Sequence, residues 1–240
     1  MSNASLTLDV DSPEVVHGDD AHAHAHPPHL QHHFVSSEQQ FDAAKMGMWL
    51  FLATEILLFS GMFVSYAVFR VLYPETYEAC ASALNTMQGA FNTLVLLGSS
   101  LTVALAINCI QRDDQKGLKR NLLLTLLGAT IFLVVKYFEY THKFHGGIFP
   151  GLAFHPYGPE FEHLATVPYA RQFFSLYYVS TGIHAIHIIA GMIVLFWVYL
   201  KARKGTFSSS YYTHVELGGL YWHLVDVIWI FLFPLLYLIH

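Results

Sequence analysis

The chain has 240 residues, of which 54% are hydrophobic and only 12% are charged, against the ~25% charged residues of ordinary soluble domains. A soluble fold of this size would leave much of that apolar surface wet. The formal net charge of -5, with no Lys or Arg before Lys45, excludes nucleic acid as a partner.

Residues 1–42 read as a polar extension. It contains Asp11, Glu14, Asp19 and Asp20, then His22, His24, His26 and His29, followed by His32 and His33. Clustered imidazoles suit Zn, Cu or Ni, so His22, His24, His26 and His29 are weak metal candidates. The plainer reading, a tail whose histidines are compositional, is preferred. The extension lacks the positive start and apolar stretch of a secretory leader, so the first hydrophobic helix is expected to direct insertion.

Residues 43–240 hold five apolar segments, approximately Ala44 to Phe69, Gly89 to Ile110, Arg120 to Tyr140, Gln172 to Leu200 and Glu216 to Ile239. Each is long enough to cross a hydrocarbon core of ~30 Å, which takes about 20 helical residues. Lipid offers unpaired backbone groups no partners, so helices are the expected solution. The fold class is therefore all-α, a polytopic membrane bundle of five transmembrane helices. Cys80 and Cys109 are read as opposite ends of one candidate helix, whose rise of ~1.5 Å per residue holds them beyond disulfide reach. The longest linker, Thr141 to Arg171, is rich in Gly and Pro and is expected to cap one end of the bundle.

Orientation follows from the basic residues. Arg112, Lys116, Lys119, Arg120, Lys201, Arg203 and Lys204 fall on the N-terminal side, against Arg70, Lys143 and Arg171 on the other. The N-terminus is expected in the cytoplasm and the C-terminus outside. Trp197, Trp222 and Trp229 are candidate interface anchors, although several sit deep in their segments.

An intramembrane carboxylate costs ~2.5 to 3.5 kcal/mol on insertion scales and is rare unless a function or a buried partner retains it. Glu55 lies ten residues after Lys45, about 15 Å along the helix. It reads as a proton-handling group, as an anchor for another subunit, or as a neutral acid hydrogen-bonded inside the bundle. Asp226 is similarly deep, with His223 one turn earlier on the same face, and the expected arrangement is a structural bond between the two. His184 and His187, spaced three apart with Gly182 and Gly191 nearby, could in principle join a metal or haem site. Small neighbours argue instead for close helix packing with the histidines as interhelical hydrogen-bonding groups. Lys136 and Glu139 are read as an interfacial ion pair free to snorkel.

Five stretches in order resemble the subunit III family of haem-copper cytochrome oxidases. They are Thr54-Glu55-Ile56-Leu57-Leu58-Phe59, Asn92-Thr93 through Leu96-Leu97-Gly98-Ser99, Glu139-Tyr140, Thr181 through His187 with Ala185 in place of the family's Gly, and Tyr221-Trp222-His223-Leu224-Val225-Asp226-Val227-Ile228-Trp229. The resemblance runs from about residue 42 to the end. Mitochondrial-type members have seven helices, so this chain lacks the first two and resembles the five-helix form. The family's lipid-filled cleft lies beside that missing pair, which another subunit could supply.

The resemblance implies a non-redox subunit of cytochrome c oxidase, taking part in aerobic electron transport and proton translocation without a catalytic site of its own. It implies that haem and copper sit on partner chains, that subunits I and II and bound phospholipid are partners, and that other respiratory-chain complexes are further partners. Glu55, Glu139, His184, His187, His223 and Asp226 are then candidates for proton modulation or for lipid and subunit contact. Two readings stand against it: subunit III of a quinol oxidase, which also has five helices, and a stand-alone carrier or proton channel built on Glu55 and Asp226. The second lacks the repeats and broken helices of transporters.

Overall fold

The computed structural model describes residues 34–239, so the tail histidines His22, His24, His26 and His29 lie outside the described residues. The chain separates into two compact units, Met1–Gln40 and Phe41–His240. In the described part of the first, the Ser36 hydroxyl accepts from the Gln39 amide while Gln39 Oε1 accepts from the Val35 amide. This reciprocal cap starts α1 at Ser37, earlier than hydrophobicity alone predicts.

Helix α1 spans Ser37–Leu72, α2 Pro74–Ser82, α3 Thr86–Gln111, α4 Gln115–His145, α5 Ala170–Arg203 and α6 Thr213–Tyr237. All but α2 are long and apolar enough to cross a membrane, and the family assignment below makes the chain a multi-pass membrane protein. Pro74 opens α2 at the position where a missing N–H costs nothing. Cys80 is buried on this short helix and Cys109 sits on α3. They are therefore free thiols on separate helices rather than two ends of one.

Asn85 caps α3 by accepting from the Gln88 amide, and Asp114 caps α4 by accepting from the Lys116 and Gly117 amides. Such caps satisfy donors that a helix start leaves orphaned. The linker after α4 begins later than predicted, because α4 runs on to His145. Its two 3₁₀ turns, Gly151–Ala153 and Glu162–Ala165, fold over the bundle. Ile148, Phe161 and Leu164 are buried there, and Tyr178 donates to the Ile148 carbonyl at 2.8 Å.

Helices α3 and α4 form a tight hairpin, α6 packs on α3 and α5, and α4 packs on α5. Helix α1 keeps its backbone farther off and reaches α6 with side chains: Phe51 to Tyr221, Phe63 to Phe231, Lys45 to Glu216 at 2.7 Å, and the Tyr66 hydroxyl to the Leu235 carbonyl. Trp222 and Trp229 are fully buried, so they belong to the core and not to an interfacial belt. Trp197 remains exposed, with Lys201 Nζ 3.9 Å from its ring centroid.

Candidate functional site

Among the described residues, three groups of polar side chains inside the bundle hold candidate site residues. The first joins α1 to α5. His187 Nε2 lies 2.7 Å from Glu55 Oε2, and His187 Nδ1 lies 2.8 Å from the Ile183 carbonyl. A carbonyl only accepts, so Nδ1 carries a hydrogen. One further proton then lies between Nε2 and Oε2, either on the acid or on the imidazole. Phe59 is edge-on to the imidazole with centroids 5.2 Å apart, and the Tyr221 hydroxyl donates to the His187 carbonyl at 3.2 Å. The side chains are 16% and 14% exposed, so Glu55 faces the helices, as expected for a carboxyl at this depth.

The second group lies where α4, α5 and α6 meet. Glu139 Oε1 accepts from Lys143 Nζ at 2.9 Å, Tyr177 at 2.7 Å and Tyr237 at 2.6 Å, while Oε2 accepts from Lys136 Nζ at 2.9 Å. Four donors on one carboxyl group match its acceptor-only ionised form. Lys136 also donates to Tyr237 at 2.6 Å, and its ammonium lies 4.6 Å from the Trp229 ring centroid. Lys136 and Glu139 are paired as predicted, but their side chains are only 5% and 2% exposed. The expected interfacial, snorkelling pair is thus a buried one, enclosed by aromatic rings that exclude water. Lys143, Tyr177 and Tyr237 were missed at this site. Lys143 stands four residues beyond Glu139, a spacing that places both on one helix face.

The third group corrects the expected His223–Asp226 bond. His223 Nδ1 instead meets the Ser100 hydroxyl of α3 at 2.7 Å. Asp226 is buried, and neither of its carboxyl oxygens completes a hydrogen bond among the described residues. The Ser100 hydroxyl that approaches it is engaged by His223, and no hydrogen bond joins His223 to Asp226 although they stand three positions apart on α6.

His184 also departs from expectation. It is fully buried, stacked on Trp229 at 5.2 Å and edge-on to Phe132 at 5.6 Å, and neither ring nitrogen has a hydrogen-bond partner among the described residues. It acts as an aromatic core residue, whereas His187 makes the interhelical bond predicted for both. Of the two flanking glycines only Gly191 marks a close approach, since a Cβ there would meet Trp222 at 2.9 Å, while a Cβ on Gly182 would meet nothing within 4 Å.

Two of the sequence motifs interlock. Trp222 Nε1 donates to the Ser99 hydroxyl and Trp229 Nε1 to the Thr93 hydroxyl, each at 3.0 Å. Both hydroxyls in turn donate to their own helix, to Leu96 and Gly89. Two indole donors seven residues apart on α6 thus fix its register against α3.

Residues 30–148 and 160–240 match the family described as cytochrome c oxidase subunit III. The chain is 29% identical over 219 residues to a cytochrome c oxidase subunit 3 of Thermostichus vulcanus, covering 91% of each chain. It is also 29% identical to one from Synechocystis sp. over 100% of this chain and 88% of the relative. A subunit 3 of Corynebacterium diphtheriae is 30% identical over 81% of this chain and 87% of its own length. The match spans every element that carries the three polar groups, and the chain belongs to the cytochrome c oxidase subunit III family.

Proposed function

We propose that the chain is a non-redox subunit of a haem-copper terminal oxidase that takes electrons from cytochrome c. In this reading it packs on catalytic subunit I in a bacterial inner membrane, with its N-terminus cytoplasmic, and supports proton uptake in aerobic electron transport. The oxidase activity belongs to the assembled complex.

The observation that carries the proton role is the Glu55–His187 pair. Its single shared proton has two seats 2.7 Å apart, a geometry suited to accepting and passing on a proton without moving the backbone. Haem and copper are assigned to subunits I and II. In support, both His187 nitrogens are engaged and His184 is enclosed by Trp229 and Phe132, so neither ring has a nitrogen directed at open space. Bound phospholipid fits an apolar groove of about 370 Å³ between α1, α5 and α6, lined by residues that include Met48, Phe51, Val194 and Tyr221.

Affinity purification through this chain tests the reading. The expected result is co-purification with haem-bearing and copper-bearing polypeptides at constant stoichiometry. Isolation in mild detergent without haem-bearing chains, or with haem held by this chain itself, would overturn it.

A further inference from the structure

A second apolar groove, of about 780 Å³, runs along the outer face between α4 and α5, apart from the α1 groove. Its walls include Leu123, Leu127, Leu133, Ile189, Ile193 and Phe196, most of them exposed. Thr130 adds one hydroxyl, which is already donated to the Leu126 carbonyl at 2.8 Å. From Leu123 to Leu133 the groove covers about 15 Å of helix, the depth of one leaflet of a ~30 Å hydrocarbon core.

One end of this groove is basic. The contacts of Glu139 and Tyr140 with Tyr177 and Thr181 place the end of α4 beside the start of α5, so the start of α4 lies beside the end of α5. Lys119 and Arg120 are one turn before Leu123 on the same face, and Arg203 is two turns beyond Phe196. None of the three forms a salt bridge among the described residues. The nearby acids are committed: Asp113 accepts from Ser209, and Asp114 caps α4.

We infer that this groove binds an anionic phospholipid, with an acyl chain along α4 and α5 and the phosphate at Lys119, Arg120 and Arg203. A basic rim over an apolar groove between transmembrane helices is the arrangement that selects anionic headgroups. A partner helix is a poorer occupant. Close helix approach in membranes uses small residues, and the glycine of this stretch, Gly128, is turned toward Ser99 of α3. The inference rests on the membrane-spanning reading alone, so it stands or falls separately from the co-purification test above.

The test uses the intact complex that contains the chain, reconstituted in phosphatidylcholine vesicles. These are doped with either phosphatidylglycerol or phosphatidylcholine bearing a photoactivatable diazirine on the acyl chain, and adducts are mapped by peptide mass spectrometry. The phosphatidylglycerol probe is expected to label peptides carrying Leu123 to Leu133 and Ile189 to Phe196 in preference to the neutral probe. That preference should fall about five-fold in each of R120Q and R203Q, the effect of ~1 kcal/mol per basic residue. Equal labelling by the two probes in the unaltered complex would reduce the groove to ordinary annular lipid and overturn the inference. Absence of labelling by both would mean that protein covers the face, and would overturn it equally. The comparison of probes on the unaltered protein decides the matter even where a variant fails to assemble.

Discussion

His187 Nε2 and Glu55 Oε2 form a 2.7 Å bond between α5 and α1, and α1 is the helix with the least buried span, at 11%. The bond ties α1 to the bundle, and in the proposed function it also handles a proton; two substitutions separate these roles. Glu55→Gln keeps a donor for the neutral imidazole, so the complex should assemble, but the amide cannot release a proton. Turnover should fall, or inactivation during turnover accelerate, at high pH where proton supply limits. Glu55→Ala should also loosen α1, by the ~1.5 to 3 kcal/mol of a hydrogen bond to a charged group. Normal turnover and lifetime of the Gln variant across the pH range would leave the pair a structural bond only.

The buried carboxyl of Glu139 holds two lysines, so its removal leaves cationic groups without an anion in the core. Glu139→Leu should destabilise the chain by ~3 to 5 kcal/mol, the range for breaking a buried ion pair from one side. Adding Lys136→Met should recover part of the loss, since one uncompensated charge disappears with it. Thermal denaturation of the purified complex, followed through loss of this subunit, measures both. A double variant no more stable than the single one would argue against electrostatic imbalance as the cause.

The five membrane helices were legible because spans of 25 residues or more with a mean hydropathy of 1.7 or above are long and apolar enough to cross a hydrocarbon core. Their ends were less so. Ser36 and Gln39 extend α1 through a capping exchange, and α4 continues to His145 through a stretch that holds His142, Lys143 and His145, which hydropathy penalises. Within the sites, pairs separated by one helical turn were readable when both partners faced inward, as with Lys136 and Glu139. Contacts between helices were not, because Tyr177, Tyr237 and Ser100 lie tens of residues from the groups they bond. His223 and Asp226 show the limit of face-sharing arguments, since His223 bonds to Ser100 of α3 rather than to Asp226.

His184 is held by ring stacking, and its two nitrogens carry a desolvation cost without a bond to offset it. His184→Phe keeps the ring and removes both polar atoms, so stability should be unchanged or raised. His184→Ala should cost ~2 to 4 kcal/mol by opening a cavity beside Trp229 and Phe132. Haem spectra of the assembled complex should not respond to either change. A Soret shift in well-assembled His184→Phe enzyme would show that the imidazole acts on the redox centre.

Asp113, at φ 57° in the turn between α3 and α4, accepts from the Ser209 hydroxyl and from the Ser209 amide, both at 2.7 Å. These donors hold its carboxyl below the ordinary carboxylate range. A depressed folded value means that the link is fully present above the unfolded carboxylate value of ~3.9 and is lost as pH falls through the lowered one. Protection of the Ser209 amide from hydrogen exchange should therefore decline in acid. Asparagine tolerates the same left-handed backbone, so Asp113→Asn should abolish the pH dependence while keeping the turn. An unchanged acid profile in that variant would assign the effect to another group.

Gly191 and Gly182 stand on the same helix and give opposite expectations. A Cβ at Gly191 would come within 2.9 to 3.1 Å of Trp222 and Tyr221. Trp222 has no room to retreat, being fully buried with its indole nitrogen bonded to Ser99. Gly191→Ala should therefore cost ~1 to 3 kcal/mol, as overpacked cores do, and should weaken the α5–α6 contact that carries His187. Gly182→Ala adds a methyl group where nothing lies within 4 Å, so it should gain up to ~1 kcal/mol of helix propensity. Thermal stability of the two variant complexes, compared with the unaltered one, checks the pair together. If Gly182→Ala were the more harmful change, its open face would be a contact surface for another subunit.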